Sequence, residues 1–177
     1  FRTIEEAVAF EKYLSIHNDS IGTYELFLDG YTNPTDNLDS IDFSQLKNMR
    51  SLIIYFAPFE SIPKSISHLR KLRNLEIQEC PQFNTTKGIE KITTLEKLTF
   101  YGTSLSQILD NMLLLKSLKE LNWEKNSFPI KLDSSLLFLT NSHLEKVDFS
   151  EDKLTEIPVG MKKMKYVRNI YFSDNQI

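Results

Sequence analysis

Leu118-Lys119-Glu120-Leu121-Asn122-Trp123-Glu124-Lys125-Asn126-Ser127-Phe128 is the stretch that decides the fold. Apolar side chains stand at its first, fourth, sixth and eleventh places and an asparagine at the ninth. The third, fifth and seventh places, Glu120, Asn122 and Glu124, are polar. Alternation with period two is that of a strand with one apolar face. The same frame fits segments beginning at Ile21, Met49, Leu72, Leu95, Leu144 and Val167. Most steps between segments are 23 residues, with longer ones of 28 after Ile21 and 26 after Leu118. Of the 28 frame places in the seven segments, 27 are apolar, the exception being Gln82. Chance in a chain that is 41% apolar would fill about 11.

The first segment places Tyr24 in the fourth column, Leu26 in the sixth and Tyr31 in the eleventh. The sixth column then runs Leu26, Ile54, Ile77, Phe100, Trp123, Phe149, Phe172, and the ninth Asp29, Ala57, Cys80, Thr103, Asn126, Asp152, Asn175. Over residues 21–177 the pattern resembles the leucine-rich repeat, L-x-x-L-x-L-x-x-N/C-x-L. Its 23-residue period is more similar to bacterial and intracellular signalling members of that family than to the longer extracellular receptor types. The resemblance implies an α/β fold: a right-handed, curved superhelical solenoid with a concave parallel β-sheet and short helices or turns on the convex side. One such strand cannot bury its apolar face alone, but neighbours stacked about 4.8 Å apart bury a continuous core. The ninth-place polar residue is suited to satisfying backbone groups where the chain leaves the strand.

The return half of the unit is also visible. Ile62-Pro63, Ile66 and Leu69 recur as Ile157-Pro158, Met161 and Met164, without proline as Ile108, Met112 and Leu115, and in part as Ile89 and Ile92. That spacing predicts a short helical turn packed on the strand layer. The first repeat carries the turn-rich Asn33-Pro34-Thr35-Asp36-Asn37, and in the fifth Leu132, Leu136, Leu137 and Leu139 fall out of register. Before Ile21, the spacing of Ile4, Ala7, Val8, Phe10, Tyr13 and Leu14 predicts a helix over 3–16 with Thr3 and Glu6 as a capping box. The expected organisation is a helical cap over 1–20 and a repeat domain over 21–177, since terminal repeats need covering. No matching cap follows the seventh motif at Ile177. The expectation is that the chain continues in its natural context or that a second chain covers this end by self-association.

Outward strand positions are the natural recognition surface of such a solenoid. The fifth column is Glu25, Ile53, Glu76, Thr99, Asn122, Asp148, Tyr171 and the seventh Phe27, Tyr55, Gln78, Tyr101, Glu124, Ser150, Ser173. Phe27, Ile53, Tyr55 and Tyr101 are large apolar or amphipathic residues where solvent favours polar ones. Aromatic side chains bury about 150–250 Å² each, enough together for a binding patch. Glu120, Glu124, Asp148 and Glu151 make the later repeats acidic. The candidate partner-binding residues are therefore Phe27, Ile53, Tyr55, Gln78, Tyr101, Glu124, Asp148 and Tyr171. They point to a protein or peptide with an apolar anchor on the early repeats and basic groups farther along. The competing structural reading has the cap or the first loop folding over these aromatics.

Other chemistry finds little support in the sequence. A net charge of −3 argues against a nucleic-acid partner. A single cysteine, Cys80, rules out internal disulfides and multi-cysteine zinc sites, and its ninth-column place makes it a buried rung rather than a nucleophile. His17, His68 and His143 lie far apart, Trp123 reads as core, and Lys162, Lys163, Lys165 and Arg168 as a solvated convex face. No nucleophile-elbow, zincin, phosphate-loop or dinucleotide fingerprint occurs, so no cofactor or metal is expected and the chain reads as non-catalytic. Asn18-Asp19-Ser20 and Asn84-Thr85-Thr86 fit the glycosylation sequon, which matters only in a eukaryotic secretory pathway. No segment approaches 18 uncharged apolar residues, so none is read as spanning a membrane. The N-terminus lacks a signal-peptide pattern, and a chain whose signal had been removed would look the same, so a cytoplasmic and an exported location both stay open. The alternative function is recognition domain of a larger multidomain protein, signalling or enzymatic, whose other parts lie outside these residues.

Overall fold

The computed structural model describes residues 1–17, 24–31, 38, 41–106, 110–126, 143–157, 161–162 and 164–177. The Asn33–Asn37 loop, the 132–139 leucines, the Asn18 sequon, Phe128 and Lys163 lie outside them, as does the side chain of His17. Seven strands follow one another, β1 (Tyr24–Asp29), β2 (Met49–Tyr55), β3 (Asn74–Gln78), β4 (Lys97–Tyr101), β5 (Glu120–Glu124), β6 (Lys146–Asp148) and β7 (Asn169–Tyr171). They form one parallel sheet in chain order. Each strand therefore pairs with the strands of its sequence neighbours, the arrangement that a unit unable to bury its own apolar face requires.

From β2 onward the register is that of the sequence frame: Leu52, Leu75, Leu98, Leu121, Val147 and Ile170 pair in one line across the sheet. The next inward line, Ile54, Ile77, Phe100 and Trp123, is completely buried. Removing a Leu, Ile or Phe side chain of this kind from water is worth roughly 1.5–3 kcal/mol. Large rings fill the interior of the middle repeats: Phe83 stacks on Phe100 at 5.7 Å, and Phe100 meets the edge of Trp123 at 5.5 Å. Behind the sheet the return segments are single 3-10 turns at Phe43–Gln45, Lys64–His68, Ile89–Lys91 and Asp110–Leu114. Each of the first three buries one apolar side chain, Phe43, Ile66 or Ile89.

The first repeat corrects the sequence alignment. Leu26 pairs with Leu52 and Leu28 with Ile54, so β1 sits two residues out from the expected frame. A bulge between Tyr24 and Glu25 lets Tyr24 pair with Met49 while Glu25 pairs with Ser51. Tyr24 is thus not a fourth-column residue. Leu26 takes the fourth place, Leu28 the sixth and Phe27 the fifth. Tyr31, expected inside, is 70% exposed. An offset of two residues keeps the apolar face inward, because side chains alternate with period two.

A second regularity lies in the backbone. The eighth residue of every repeat from the second onward, Phe56, Glu79, Gly102, Lys125, Glu151 and Asp174, has φ between 48° and 62°. This left-handed conformation costs a non-glycine residue roughly 1–2 kcal/mol, so something must hold it. In the first five of them the amide donates to the seventh-place carbonyl of the following repeat, Phe56 to Gln78 at 3.0 Å, Glu79 to Tyr101 at 2.7 Å and Gly102 to Glu124 at 3.1 Å. Lys125 and Glu151 repeat the bond to Ser150 and Ser173. The turn thus extends the hydrogen-bonding of the strands by one step while swinging the chain away from the sheet.

Helix α1 (Ile4–His17) covers the start of the sheet. Thr3 Oγ1 accepts from the Glu6 amide and Glu6 Oε2 from the Thr3 amide, the reciprocal bonds of a capping box. Ala7, Glu11 and Leu14 share its buried face, whereas Tyr13 is 50% exposed. Glu11 ties the helix to the first two repeats: it accepts from the Tyr24 hydroxyl at 2.8 Å, from the Asn48 amide and from Asn48 Nδ2. The Phe27 amide also donates to the Phe1 carbonyl at 2.9 Å, which gives the edge of β1 a partner.

Candidate functional site

Alternation along each strand leaves three rows of side chains on the outward face of the sheet. The first row is Glu25, Ser51, Asn74, Lys97, Glu120, Lys146 and Asn169. The second is Phe27, Ile53, Glu76, Thr99, Asn122, Asp148 and Tyr171. Asp29, Tyr55, Gln78, Tyr101 and Glu124 make the third. All eight sequence-derived candidates lie in the second and third rows. Seven of them are half-buried, and Tyr171 is exposed at 42%.

The early repeats gather an aromatic patch. Phe27 stands beside Ile53 in register, and its ring lies 6.1 Å from that of Tyr55. Tyr55 meets Phe56 edge-on at 5.2 Å, and Phe56 stacks on Tyr31 at 4.4 Å. Phe56 and Tyr31 were not legible as site residues. The first belongs to the left-handed turn and the second to the mis-registered first repeat. The cap does reach this patch, through the Arg2 guanidinium 4.6 Å above the Phe27 ring, but it leaves Phe56 and Tyr31 open to solvent.

The centre of the face is polar and extensively hydrogen-bonded, although Asn74 Oδ1 and Asn122 Oδ1 are buried without a partner. Ser51 Oγ donates to Glu25, and Asn74 Nδ2 donates to Ser51 Oγ. Glu76 accepts from Asn74, Gln78 and Lys97, the last at 3.0 Å. Burial works against the Glu76 charge, yet these bonds and the Lys97 charge together hold its carboxyl below the usual range. Gln78 is therefore engaged with Glu76. Lys125 pairs with Glu79 at 3.0 Å and lies 5.1 Å above the Tyr101 ring. That bridge crosses the fourth repeat at Gly102, where a Cβ would come within 2.9 Å of the Glu79 carboxylate.

The later repeats differ. Asp148 accepts from the amide and hydroxyl of Ser150, and Lys146 lies 5.5 Å over the Tyr171 ring. The Glu124 carboxylate makes no hydrogen bond or ion pair among the described residues. Burial and the Asp148 charge raise its pKa, with Glu151 adding to the effect while Lys146 and Lys97 oppose it.

Beneath the face runs the ninth-column ladder. Asn126 Oδ1 accepts from the Thr103 amide and hydroxyl, and its Nδ2 donates to the Phe100 carbonyl. Asn175 Oδ1 accepts from the amides of Asp152 and Leu154, and its Nδ2 donates to the Phe149 carbonyl. Cys80 is a buried rung whose thiol points to the Ile54 and Gln78 carbonyls, and burial pushes its pKa up to about 11. That is the opposite of what a nucleophilic thiol needs. His68 and His143 are exposed and apart, and among the described residues no group of His, Cys, Asp or Glu is placed to hold a metal. No described helix is long and apolar enough to cross a membrane.

A parallel sheet whose strands follow in chain order, with polar rungs at the exits of the later strands, decides the fold class. The chain has the leucine-rich-repeat fold. Solved structures agree. A leucine-rich-repeat protein of Leptospira interrogans superimposes with a TM-score of 0.59 at 18% identity over 98% of this chain. The plant peptide hormone receptor RGFR1, solved in complex with RGF2, does so with a TM-score of 0.53 at 22% identity over 75% of it. The chain spans 46% and 22% of the lengths of those two proteins. No family model matches the sequence, and no curated protein matches it. Within the leucine-rich-repeat frame, the outward rows are the concave face and the 3-10 turns lie on the convex side.

Proposed function

We propose that the chain is a non-catalytic recognition module that binds a protein or peptide on its concave face, through Phe27, Ile53, Tyr55, Gln78, Tyr101, Glu124, Asp148 and Tyr171. In this reading residues 1–20 act as the cap and 21–177 as the recognition domain. The observation that carries it is the aromatic run Phe27, Tyr55, Phe56 and Tyr31, with ring centroids 4.4–6.1 Å apart and its outer members open to solvent. Contiguous apolar surface of this kind lowers its free energy by being covered. The plant receptor with this fold was solved with RGF2 bound, which supports a binding role for the scaffold.

The test is selection of a random peptide display library on the immobilised protein. Enriched peptides are then measured against the parent, Tyr55→Ala, Tyr101→Ala and the convex control His68→Ala. Loss of a central aromatic anchor should weaken binding about tenfold or more and the control not at all. Equal binding by all four proteins would refute the concave site.

A further inference from the structure

The charges of the concave face are unevenly used, and this defines what a ligand must bring. Lys97 bonds to Glu76, Lys125 to Glu79, and Lys146 lies over the Tyr171 ring; the Lys146 and Lys97 charges offset only part of what burial and Asp148 impose on Glu124. Both Asp148 bonds from Ser150 end on a single carboxylate oxygen. Among the described residues the third-row Glu124 carboxylate has no hydrogen-bond or ion-pair partner, and it lies diagonal to the second-row Asp148, whose charge acts on it. A half-buried carboxylate beside a second carboxylate is stabilised by a cation supplied from outside.

The distance from this carboxylate to the aromatic patch is set by the sheet. Tyr55, Gln78, Tyr101 and Glu124 are successive register partners on β2, β3, β4 and β5. Three strand spacings of about 4.8 Å place Glu124 about 14 Å from Tyr55 along the solenoid. An extended chain advances about 3.4 Å per residue, so four residues cover that distance. Four is an even number, and side chains of an extended chain alternate with period two, so residues i and i+4 both face the sheet.

Resting on the concave-face reading above, we propose that the ligand is an extended peptide segment crossing the strands, with an aromatic or large apolar residue at i over Phe27, Ile53 and Tyr55 and an arginine or lysine at i+4 on Glu124 and Asp148. The residue at i+2 falls over Gln78 and Tyr101, where a small or polar side chain fits between the anchors. A ligand acidic at i+4 meets two carboxylates and is disfavoured.

Fluorescence anisotropy with three labelled ten-residue peptides tests this. All carry one phenylalanine in a Gly/Ser background. The first has arginine four positions after it, the second glutamate at that place, and the third arginine three positions after it. The expected result is about five- to tenfold tighter binding of the first peptide than of either other. Glu124→Gln should remove most of the preference for arginine over glutamate, while Tyr55→Ala weakens all three peptides alike. Circular dichroism confirms that both variants keep their strands. Tyr55-dependent binding with no preference among the peptides overturns the charge-and-spacing proposal and leaves the concave site standing. Binding that ignores Tyr55, or no binding up to about 1 mM peptide, overturns both.

Discussion

Replacing Asp152 with asparagine exchanges one carboxylate oxygen for an N–H donor at a fully buried rung of the ladder. Asp152 Oδ1 accepts from the Asn126 amide at 3.0 Å, whereas Oδ2 is buried with no hydrogen-bond partner. At the flanking rungs the corresponding atom is the Nδ2 of Asn126 or Asn175, which donates to the sixth-column carbonyl of the preceding repeat. For Asp152 the equivalent acceptor is the Trp123 carbonyl, which only a protonated carboxyl can serve. Burial pushes the Asp152 pKa up from 3.8 to about 7; the Asn126 bonds oppose the rise, and the charges of Glu124 and Asp148 add to it. Because the folded pKa lies above the unfolded one, the folded state holds the proton more tightly. Stability is therefore greatest below about pH 4 and falls as pH rises to about 7. At about 1.4 kcal/mol for each tenfold change in proton affinity, the full penalty reaches about 4 kcal/mol. Asparagine does not titrate and carries the missing donor. Asp152→Asn should match the parent near pH 4 and exceed its stability by up to about 4 kcal/mol at pH 8. Urea unfolding of both proteins at pH 4, 6 and 8, followed by circular dichroism, reads the difference directly. A stability gap that does not change with pH, or a variant less stable at pH 8, would refute the reasoning.

Three further substitutions probe other parts of the frame. Glu11→Ala leaves the Tyr24 hydroxyl and two Asn48 donors without their acceptor; at about 1–3 kcal/mol for a buried orphaned group, urea unfolding should show a loss of about 2–4 kcal/mol. Gly30→Ala puts a Cβ 2.3 Å from the Phe56 carbonyl oxygen, so the first turn must open. A cost of about 1–3 kcal/mol is expected, with a change in the near-ultraviolet aromatic signal as the Tyr31–Phe56 stack shifts. Asn126→Ala removes the Thr103 amide's and hydroxyl's bonds to Oδ1 and the Phe100 carbonyl's donor; a loss of about 2–4 kcal/mol is expected, against well under 1 kcal/mol for the exposed Lys153→Ala in the turn of the next repeat.

The parts of this fold legible in the sequence are those where burial dictates residue type. Leu52, Leu75, Leu98 and Leu121 must be apolar and must recur, because each is covered only by its neighbours. Two features lay beyond that signal. β1 sits two residues out of the frame, and Tyr24, Leu26 and Leu28 are all apolar at period two, so either register satisfies the pattern. The left-handed eighth column has no residue signature. Residues as different as Phe56, Glu79, Lys125 and Asp174 adopt that conformation, a constraint of the turn's backbone geometry and not of side-chain chemistry. The outward rows were legible as rows, since period two fixes the face. How charges are shared across them was not: Glu76 and Glu124 look alike in sequence, and only the placement of Asn74, Gln78 and Lys97 separates a satisfied carboxylate from an unsatisfied one.

Photocrosslinking tests the concave face as the recognition surface most directly. A benzophenone side chain is placed at Gln78, in the centre of that face, or at His68 on the convex turn, and each protein is irradiated with the peptide that display selection enriches. The concave reading predicts adducts at Gln78 and none at His68, with Gln78 adducts suppressed by excess unlabelled peptide. Adducts at His68 with none at Gln78 would contradict it.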